Sequence, residues 1–427
     1  MKKVYNYFRL TLLMAVMMPL SNSAQTPTAT ATTTTTEAPA FGIKFSGFLR
    51  NDVFYDTRQI VGLREGDLSL YAKDKSLDTN GKDINAASTF HMLAITTRLA
   101  GAITGPDAFG AKTSGIFEAE FFGNNETDLN EFRLRHAFIK LDWAHTQLAI
   151  GQYWHPLFVT DCYPGVINFN TGMPFQPFNR SPQIRLTQKF ASGFNIMVAA
   201  IAERDFTSTA PSGYAATDPS RNATMPNGHF QLQYKKEHFV IGAAADYKSL
   251  RPVLVNTTLK KVSDERVGSM ALLGYVKVIT KPVILKAEAV IGENMTDQVM
   301  LGGYLGYSTA GQLETYKPTK TNSFWFEVIG TGKKVVPGLF IGYTTNDGAA
   351  ANATAAYGRG IAISGRSVKE VMRVSPRIDF ISGKLKMGLE IEYTSAKYGT
   401  TDNAGKVTGT TDDISYTRAM FTTTYSF

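Results

Sequence analysis

The chain has a single cysteine and, after its first residues, no long apolar run. Cys162 alone excludes an intrachain disulfide, and it lies too far along the chain to carry a lipid anchor behind a cleaved leader. After residue 24 no run of about 18 apolar residues occurs, so we expect no transmembrane helix. Neither a P-loop nor a metal-ligand spacing such as HExxH is present, and we expect no cofactor.

The first 40 residues differ in composition from the rest. Lys2, Lys3 and Arg9 precede an eleven-residue apolar core at positions 10–20, and small polar residues follow up to Ala24. This order predicts a secretory signal peptide over residues 1–24. Residues 25–40 are rich in Thr, Ala and Pro and predict a disordered linker. Removal of the signal lowers the net charge from +8 to +5, so the exported domain, residues 41–427, is mildly basic.

The last fifteen residues, DISYTRAMFTTTYSF, alternate with a period of two. One parity contains Phe421, Tyr425 and Phe427, and the other is largely polar. Side chains of a strand point alternately to two faces, and a strand of this length crosses a bilayer at a tilt. A terminal Phe with an aromatic residue two positions earlier resembles the closing strand of bacterial outer-membrane barrels. We therefore predict that these three aromatic residues form the signal that the barrel assembly machinery reads.

Sixteen segments of the exported domain have the composition of β-strands. They lie near residues 42–55, 88–100, 113–123, 131–141, 145–152, 183–190, 194–203, 229–236, 238–248, 268–279, 283–292, 323–330, 336–346, 370–381, 384–396 and 413–427. Connections after odd-numbered segments are mostly long, and those after even-numbered segments are mostly short. Residues 67–72 and 300–307 also alternate, but we assign them to loops because either one alone would make the count odd.

This pattern predicts the fold class. Short turns on one side, long loops on the other and an even strand count are typical of an all-β, transmembrane, antiparallel up-and-down barrel, here with about 16 strands. The alternative is a water-soluble β-sandwich, whose strands are shorter and whose connections lack this asymmetry.

Charged residues keep to one parity of the predicted strands. Charge facing lipid is costly, so these positions are expected to line a water-filled lumen. The predicted pore-lining residues are Arg50, Glu118, Glu120, Arg133, Arg135, Gln183, Arg185, Arg373, Arg377 and Arg418. His136 falls on the opposite, outward parity together with Phe138, which predicts a contact between protomers.

Two interpretations of these charges are open. Antiparallel pairing of the third and fourth segments places Glu118 and Glu120 near Arg133 and Arg135, either as a salt-bridged wall or as a constriction that filters solutes by size and sign. We favour the wall for the glutamate pairs. The filter is assigned to four arginines that we expect to be unpaired, Arg50, Arg185, Arg373 and Arg418. The net positive charge fits a lumen that prefers anions, or simply solubility and attraction to lipopolysaccharide phosphates.

The third external loop, residues 153–182, is rich in proline and aromatic residues. Prolines restrict the backbone and aromatic side chains need a packing surface, so we expect this external loop to fold into the barrel or onto a neighbouring protomer.

The sequences RLRHAF at 133–138, GQYWHPLF at 151–158 and NRSPQIR at 179–185 resemble DcaP-like trimeric porins. That resemblance implies a sixteen-stranded homotrimer favouring small anionic solutes such as dicarboxylates. It also implies that Arg180, Gln183 and Arg185 lie at the constriction.

Together these features predict a non-enzymatic porin in the outer membrane of a Gram-negative bacterium. We expect passive diffusion of small hydrophilic, preferentially anionic solutes, contacts with outer-membrane lipid and lipopolysaccharide, and no nucleic-acid partner. One alternative is a surface-binding or structural barrel that its own loops close. A second is a hydrolase at the rim of the barrel, for which His155 near Asp161 is the candidate pair.

Overall fold

A computed structural model describes residues 41–427; the predicted signal peptide and linker lie outside the described residues. Within this range no helix is long and apolar enough to cross a bilayer. The strands are β1 (Gly42–Asp56), β2 (Ile60–Leu63), β3 (Leu68–Ala72), β4 (Thr89–Leu93), β5 (Arg98–Thr104), β6 (Lys112–Glu120), β7 (Arg133–Asp142), β8 (Thr146–Trp154), β9 (Arg180–Lys189), β10 (Phe194–Ile201), β11 (Asn227–Lys236), β12 (Phe239–Leu250), β13 (Val255–Asn256), β14 (Lys261–Val262), β15 (Val267–Ile279), β16 (Val283–Glu293), β17 (Gly302–Tyr307), β18 (Thr315–Pro318), β19 (Lys320–Gly330), β20 (Val335–Asn346), β21 (Ala355–Arg359), β22 (Arg366–Ser382), β23 (Leu385–Thr401) and β24 (Val407–Ser426).

The long strands pair antiparallel with their neighbours and close into a barrel. Strand β1 pairs with β24 from Phe48 opposite Ser426 to Asp56 opposite Arg418, which joins the first strand to the last. Strands β4 and β5 both pair with β1 and are two parts of one strand interrupted at residues 94–97. The barrel therefore has sixteen strands, each overlapping one of the predicted segments. The prediction of an all-β, sixteen-stranded antiparallel barrel is confirmed.

Burial along the strands is inverted relative to a water-soluble protein. In β23 the apolar side chains Leu389 and Ile391 are each 48% exposed, whereas Glu390 and Glu392 are only 2% and 1% exposed. Exposed apolar residues on the outer face and buried charges on the inner face are the pattern of a barrel in lipid. The interior therefore has to satisfy many charged groups through hydrogen bonds and ion pairs.

A β-bulge changes the parity of β7. The pairing of β6 with β7 shifts between Glu118 and Ala119, so that Glu118 lies opposite His136 and Glu120 lies opposite Arg133. As a result His136 and Phe138 are both buried, at 5% exposure each. The prediction that these two residues face outward, with His136 as a protomer contact, is wrong because one extra residue reverses the alternation beyond the bulge.

The short elements all belong to the long loops. Residues 67–72 and 300–307, which we expected to lie in loops, contribute β3 and β17, neither of which joins the barrel. Strand β17 pairs with β18 and β21 in a three-stranded sheet, and β13 pairs with β14. The remaining elements are α1 (Asp218–Asn222) and two 3₁₀ turns at Ile84–Ala86 and Met295–Gln298.

The hairpin of β2 and β3 contacts the inner face of the barrel. Arg373 donates to the carbonyl of Leu70 at 2.8 Å, and the hydroxyl of Ser69 donates to Glu392 at 2.9 Å. The Tyr398 hydroxyl donates to the carbonyl of Ala72 at 2.8 Å. All five residues of β3 are nearly fully buried, so the first long loop occupies part of the barrel interior.

Candidate functional site

A cluster of ion pairs on β5, β6 and β7 dominates one side of the interior. Glu120 is fully buried and accepts from Arg133 Nη2 at 2.7 Å, Arg98 Nη2 at 3.0 Å and Arg135 Nη1 at 2.5 Å. Glu118 accepts from Arg135 Nε at 2.7 Å. Such charge-assisted bonds fix the guanidinium groups in place, and each buried carboxylate is shared by more than one arginine.

This cluster continues into the fourth external loop, residues 202–226. Asp205 lies 3.0 Å from Arg133 Nη1 and 2.5 Å from Arg180 Nη2. Four guanidinium groups, those of Arg98, Arg133, Arg135 and Arg180, therefore face three carboxylates. The cluster retains one positive charge.

Three of the arginines that we expected to be unpaired have carboxylate partners. Each pairs with one acid, and the pairs are Arg50 with Asp52 at 2.9 Å, Arg373 with Glu392 at 3.3 Å and Arg418 with Asp56 at 2.7 Å. The expectation of free charges at these three positions is wrong. In a low-dielectric interior an unpaired guanidinium is costly, and neighbouring strands supply the acids. Arg377 likewise pairs with Glu327 at 2.8 Å.

Arg185 differs from these arginines because it has no carboxylate partner among the described residues. Its Nε and Nη2 atoms donate to Gln183 Oε1 at 2.9 and 2.7 Å, and Nη2 also donates to the carbonyl of Trp154 at 2.7 Å. The guanidinium lies 5.3 Å from the centre of the Tyr153 ring. Neutral acceptors and an aromatic face hold it in position but leave its charge uncompensated.

A cavity of about 350 Å³ opens beside Arg185, near the short turns of the barrel. Lys189 and Lys235 also line it, with the amide side chains of Gln147 and Asn195. Lys189 is paired with Asp142 at 3.6 Å, and Lys235 with Asp161 at 2.5 Å. We call this space the turn-end cavity. Its uncompensated charge is positive.

The third loop follows the inner face of the barrel over a long path. The Gly165 amide donates to Glu327 and the Ile167 amide donates to Glu390, both at 2.7 Å. Arg50 donates to the carbonyl of Ile167 at 2.7 Å. Between this loop and β1, β5 and β7 remains an inner cavity of about 370 Å³, lined by Arg50, Arg98 and Arg135 together with aromatic side chains.

A further cavity lies at the end of the barrel where the long loops are. Its volume is about 540 Å³, and its lining includes Glu131, Arg133, Arg204 and Asp205. We call it the loop-end cavity. Arg133 lines this space while Arg98 and Arg135 line the inner cavity, and all three bond to Glu120. The ion-pair cluster thus stands between the two cavities.

The structure changes the interpretation of two histidines, His155 and His136. His155 lies 3.7 Å from Asp246, whereas Asp161 accepts from Lys235, so the proposed hydrolase pair does not form. Burial lowers the pKa of His155 to about 4, with Asp246 opposing that shift. His136 contacts Glu118 at 3.6 Å and packs beside Trp154 inside the barrel.

The predicted assembly residues lie on the closing strand. Phe421 is opposite Val53, and Tyr425 is opposite Leu49. The backbone amide of Phe427 donates to the carbonyl of Gly47 at 3.0 Å, and the Gly47 amide donates back at 3.3 Å. Tyr425 and Phe427 are about half exposed on the outer face.

Sequence reasoning missed two members of the ion-pair cluster. Arg98 follows the break at residues 94–97, which falls inside the predicted segment 88–100. Asp205 lies in a loop, where no periodicity reports the direction of a side chain. The position of Arg98 could have been predicted, because the second and third predicted segments are neighbours in an up-and-down barrel. In the observed register Arg98 of β5 lies opposite Glu120 of β6.

The fold resembles solved outer-membrane channels. The outer membrane channel DcaP of Acinetobacter baumannii matches with a TM-score of 0.63 and 16% identity, over 91% of this chain and 97% of that chain. The anion-selective porin of Comamonas acidovorans matches with a TM-score of 0.53 and 11% identity, over 91% and 100%. OmpF of Salmonella typhi, in a complex with daunomycin, matches with a TM-score of 0.50 and 12% identity, over 90% and 97%.

No protein-family model matches the chain, and no curated protein matches it significantly. At these identities the likeness to solved structures concerns the fold. The chain has the fold of the sixteen-stranded outer-membrane porins.

Proposed function

We propose that this protein is a passive diffusion channel for small hydrophilic solutes with a preference for anions. The observation that carries the proposal is the uncompensated Arg185 beside the turn-end cavity, within a barrel that shares the fold of outer-membrane channels. The excess positive charge of the ion-pair cluster supports the same preference. Fixed positive charge along a narrow aqueous path raises the local concentration of anions and lowers that of cations.

The paired charges of the interior have a separate role in this proposal. Arg50, Arg373, Arg377 and Arg418 are neutralised locally, so they stabilise the loops and the wall rather than select by sign. Glu118 and Glu120 order the guanidinium groups of the cluster. The third loop and the β2–β3 hairpin narrow the passage and set an upper size for the solutes.

The fold and the sequence together support a proposal for the cellular setting. We propose export through the signal peptide at residues 1–24, assembly through Phe421, Tyr425 and Phe427, and residence in the outer membrane of a Gram-negative bacterium among lipid and lipopolysaccharide. The structure of OmpT from Vibrio cholerae includes a trimer form, and we propose that this chain is also a homotrimer. No catalytic or cofactor role is proposed.

The alternative is a barrel closed by its own loops. It is favoured by one observation, namely that the β2–β3 hairpin and the third loop both fill the interior. Swelling of liposomes that contain the protein separates the two functions. Uptake of small sugars or acetate supports the channel, whereas vesicles that do not swell in any solute contradict it.

The charge proposal is tested with Arg185→Gln in planar bilayers. A unit charge about 8 Å from a permeating ion in water attracts an anion and repels a cation by roughly 0.5 kcal/mol each, so we expect the ratio of anion to cation permeability to fall about fivefold. Arg185→Lys keeps the charge and should retain the ratio, and Lys317→Gln in the outer loops is a matched control for loss of charge. An unchanged permeability ratio in Arg185→Gln would show that Arg185 does not contribute to anion selectivity.

A further inference from the structure

Arg180 is a fully buried guanidinium whose hydrogen-bonding capacity is not used. Its side chain is 1% exposed, and its Nε, Nη1 and Nη2 atoms have no aligned hydrogen-bond acceptor among the described residues. The group lies between two aromatic rings, 5.0 Å from the centre of Trp154 and 5.2 Å from that of Phe178. Unsatisfied donors on a buried cation are unfavourable for folding alone, and they mark a position at which a ligand can bind.

Among the described residues, the carboxylate in direct contact with this group is that of Asp205. Asp205 contacts Arg180 Nη2 through Oδ2 at 2.5 Å, and its Oδ1 accepts from Arg133 Nη1 at 3.0 Å. The contact with Arg180 is close but poorly aligned for a hydrogen bond. The carboxylate of Asp205 therefore bridges two guanidinium groups as a small carboxylate ion would. The N–H donors of Arg180 still have no aligned acceptor among the described residues.

The backbone around Asp205 is held separately from its side chain. The Phe206 amide donates to Asn179 Oδ1 at 3.1 Å, and Asn179 Nδ2 donates to the Phe206 carbonyl at 2.9 Å. The Asp205 amide donates to the Arg180 carbonyl at 3.4 Å. These three bonds fix the loop against the start of β9, so the side chain of Asp205 can turn without displacement of the loop.

Space for that turn is available. Asp205 and Arg133 both line the loop-end cavity of about 540 Å³. Arg204 lines it too, is exposed, and has no ion-pair partner among residues 41–427. A carboxylate that leaves Arg133 and Arg180 thus finds another cation within the same cavity.

We propose that Arg133 and Arg180 form a carboxylate-binding site, and that Asp205 occupies it as a built-in competitor. A solute carboxylate arriving through the loop-end cavity replaces the Asp205 side chain on the two guanidinium groups, and Asp205 turns toward Arg204. The site discriminates by the geometry of a carboxylate, so it binds acetate better than chloride. This proposal rests on the channel function proposed above and adds a binding step to it.

The test uses acetate, the chemical analogue of the Asp205 side chain, as the probe. Binding to the detergent-solubilised protein is followed by tryptophan fluorescence, because Trp154 lies beside Arg180. Asp205→Ala vacates the site, and we expect its dissociation constant for acetate to be about tenfold lower than that of the wild type. Addition of Arg180→Gln to Asp205→Ala should abolish this gain.

Asp218→Asn is the control and should bind acetate like the wild type, since Asp218 is an acid in α1 of the same loop whose ion-pair partner among the described residues is Arg221. Chloride in place of acetate should show little difference between variants. An equal affinity of wild type and Asp205→Ala for acetate overturns the proposal, as does a gain that persists with Arg180→Gln. Since binding is measured without current, a protein that binds acetate as expected but does not conduct contradicts the channel function and leaves the carboxylate site supported.

Discussion

At the scale of single residues, buried acids in the loops make the protein sensitive to pH. Glu203 at the start of the fourth loop accepts from the amide and hydroxyl of Ser208 at 2.8 and 3.0 Å. Burial, together with the nearby Asp297, raises the pKa of Glu203 from 4.5 to about 7, and Lys248 at 3.7 Å opposes this shift. The folded state therefore favours the protonated form.

The sign of the pH effect follows from that shift. A carboxyl group whose pKa is higher in the folded state contributes stability that is complete below its unfolded pKa and is lost as the pH rises through its folded pKa. We predict that stability falls by on the order of 3 kcal/mol at most between pH 4.5 and pH 7. Glu203→Gln should reduce this dependence in urea unfolding of the detergent-solubilised protein. An identical pH dependence in wild type and variant would contradict the assignment to Glu203.

At the scale of elements, the β2–β3 hairpin is the first candidate for what limits the pore. It contacts the inner face at Arg373, Glu392 and Tyr398 and is buried along β3. Replacement of residues 60–72 by a short Gly-Ser linker should therefore raise the single-channel conductance. The same replacement of residues 255–262, a hairpin with the exposed Val262, removes a similar element without opening the interior and is the control. If the two deletions give the same conductance as the wild type, the hairpin does not limit the passage.

The strands and their faces were largely predictable from the sequence. Strand-like composition, together with alternation in many segments, located all sixteen barrel strands, because a lipid face and a water face impose a period of two. The pairing of Arg50 with Asp52 could also have been predicted from the sequence, since residues two apart in a strand share a face. The orientation of His136 could not be predicted, because the position of a bulge depends on the register of β7 with β6. Asp205 was missed because a loop has no periodicity that reports the direction of its side chains.

At the scale of the whole molecule, closure of the barrel depends on the contact of β1 with β24. Arg418 and Asp56 form a pair at 2.7 Å across this contact, and both are buried. Removal of one partner from a buried pair leaves an uncompensated charge, which typically costs about 3–5 kcal/mol. We predict a loss of this size in the free energy of unfolding for Asp56→Asn.

A surface pair provides the comparison for this loss. Arg251 and Asp264 are also in contact, at 2.9 Å, but Asp264 is 90% exposed. Asp264→Asn should cost less than about 1 kcal/mol, since solvent screens exposed pairs. Unfolding in urea, followed by the gel mobility of the folded barrel, measures both variants. Equal stability of the two would show that the pair of Arg418 and Asp56 does not hold the barrel closed.

One experiment tests both the conduction by the barrel and the selection of anions by its uncompensated charge. The most direct measurement is the reversal potential of the wild-type protein in a planar bilayer between concentrated and dilute KCl. We predict stepwise conductance and a reversal potential whose sign corresponds to faster passage of chloride than of potassium. A reversal potential of the opposite sign would contradict the selectivity, and the absence of any conductance would contradict the channel itself.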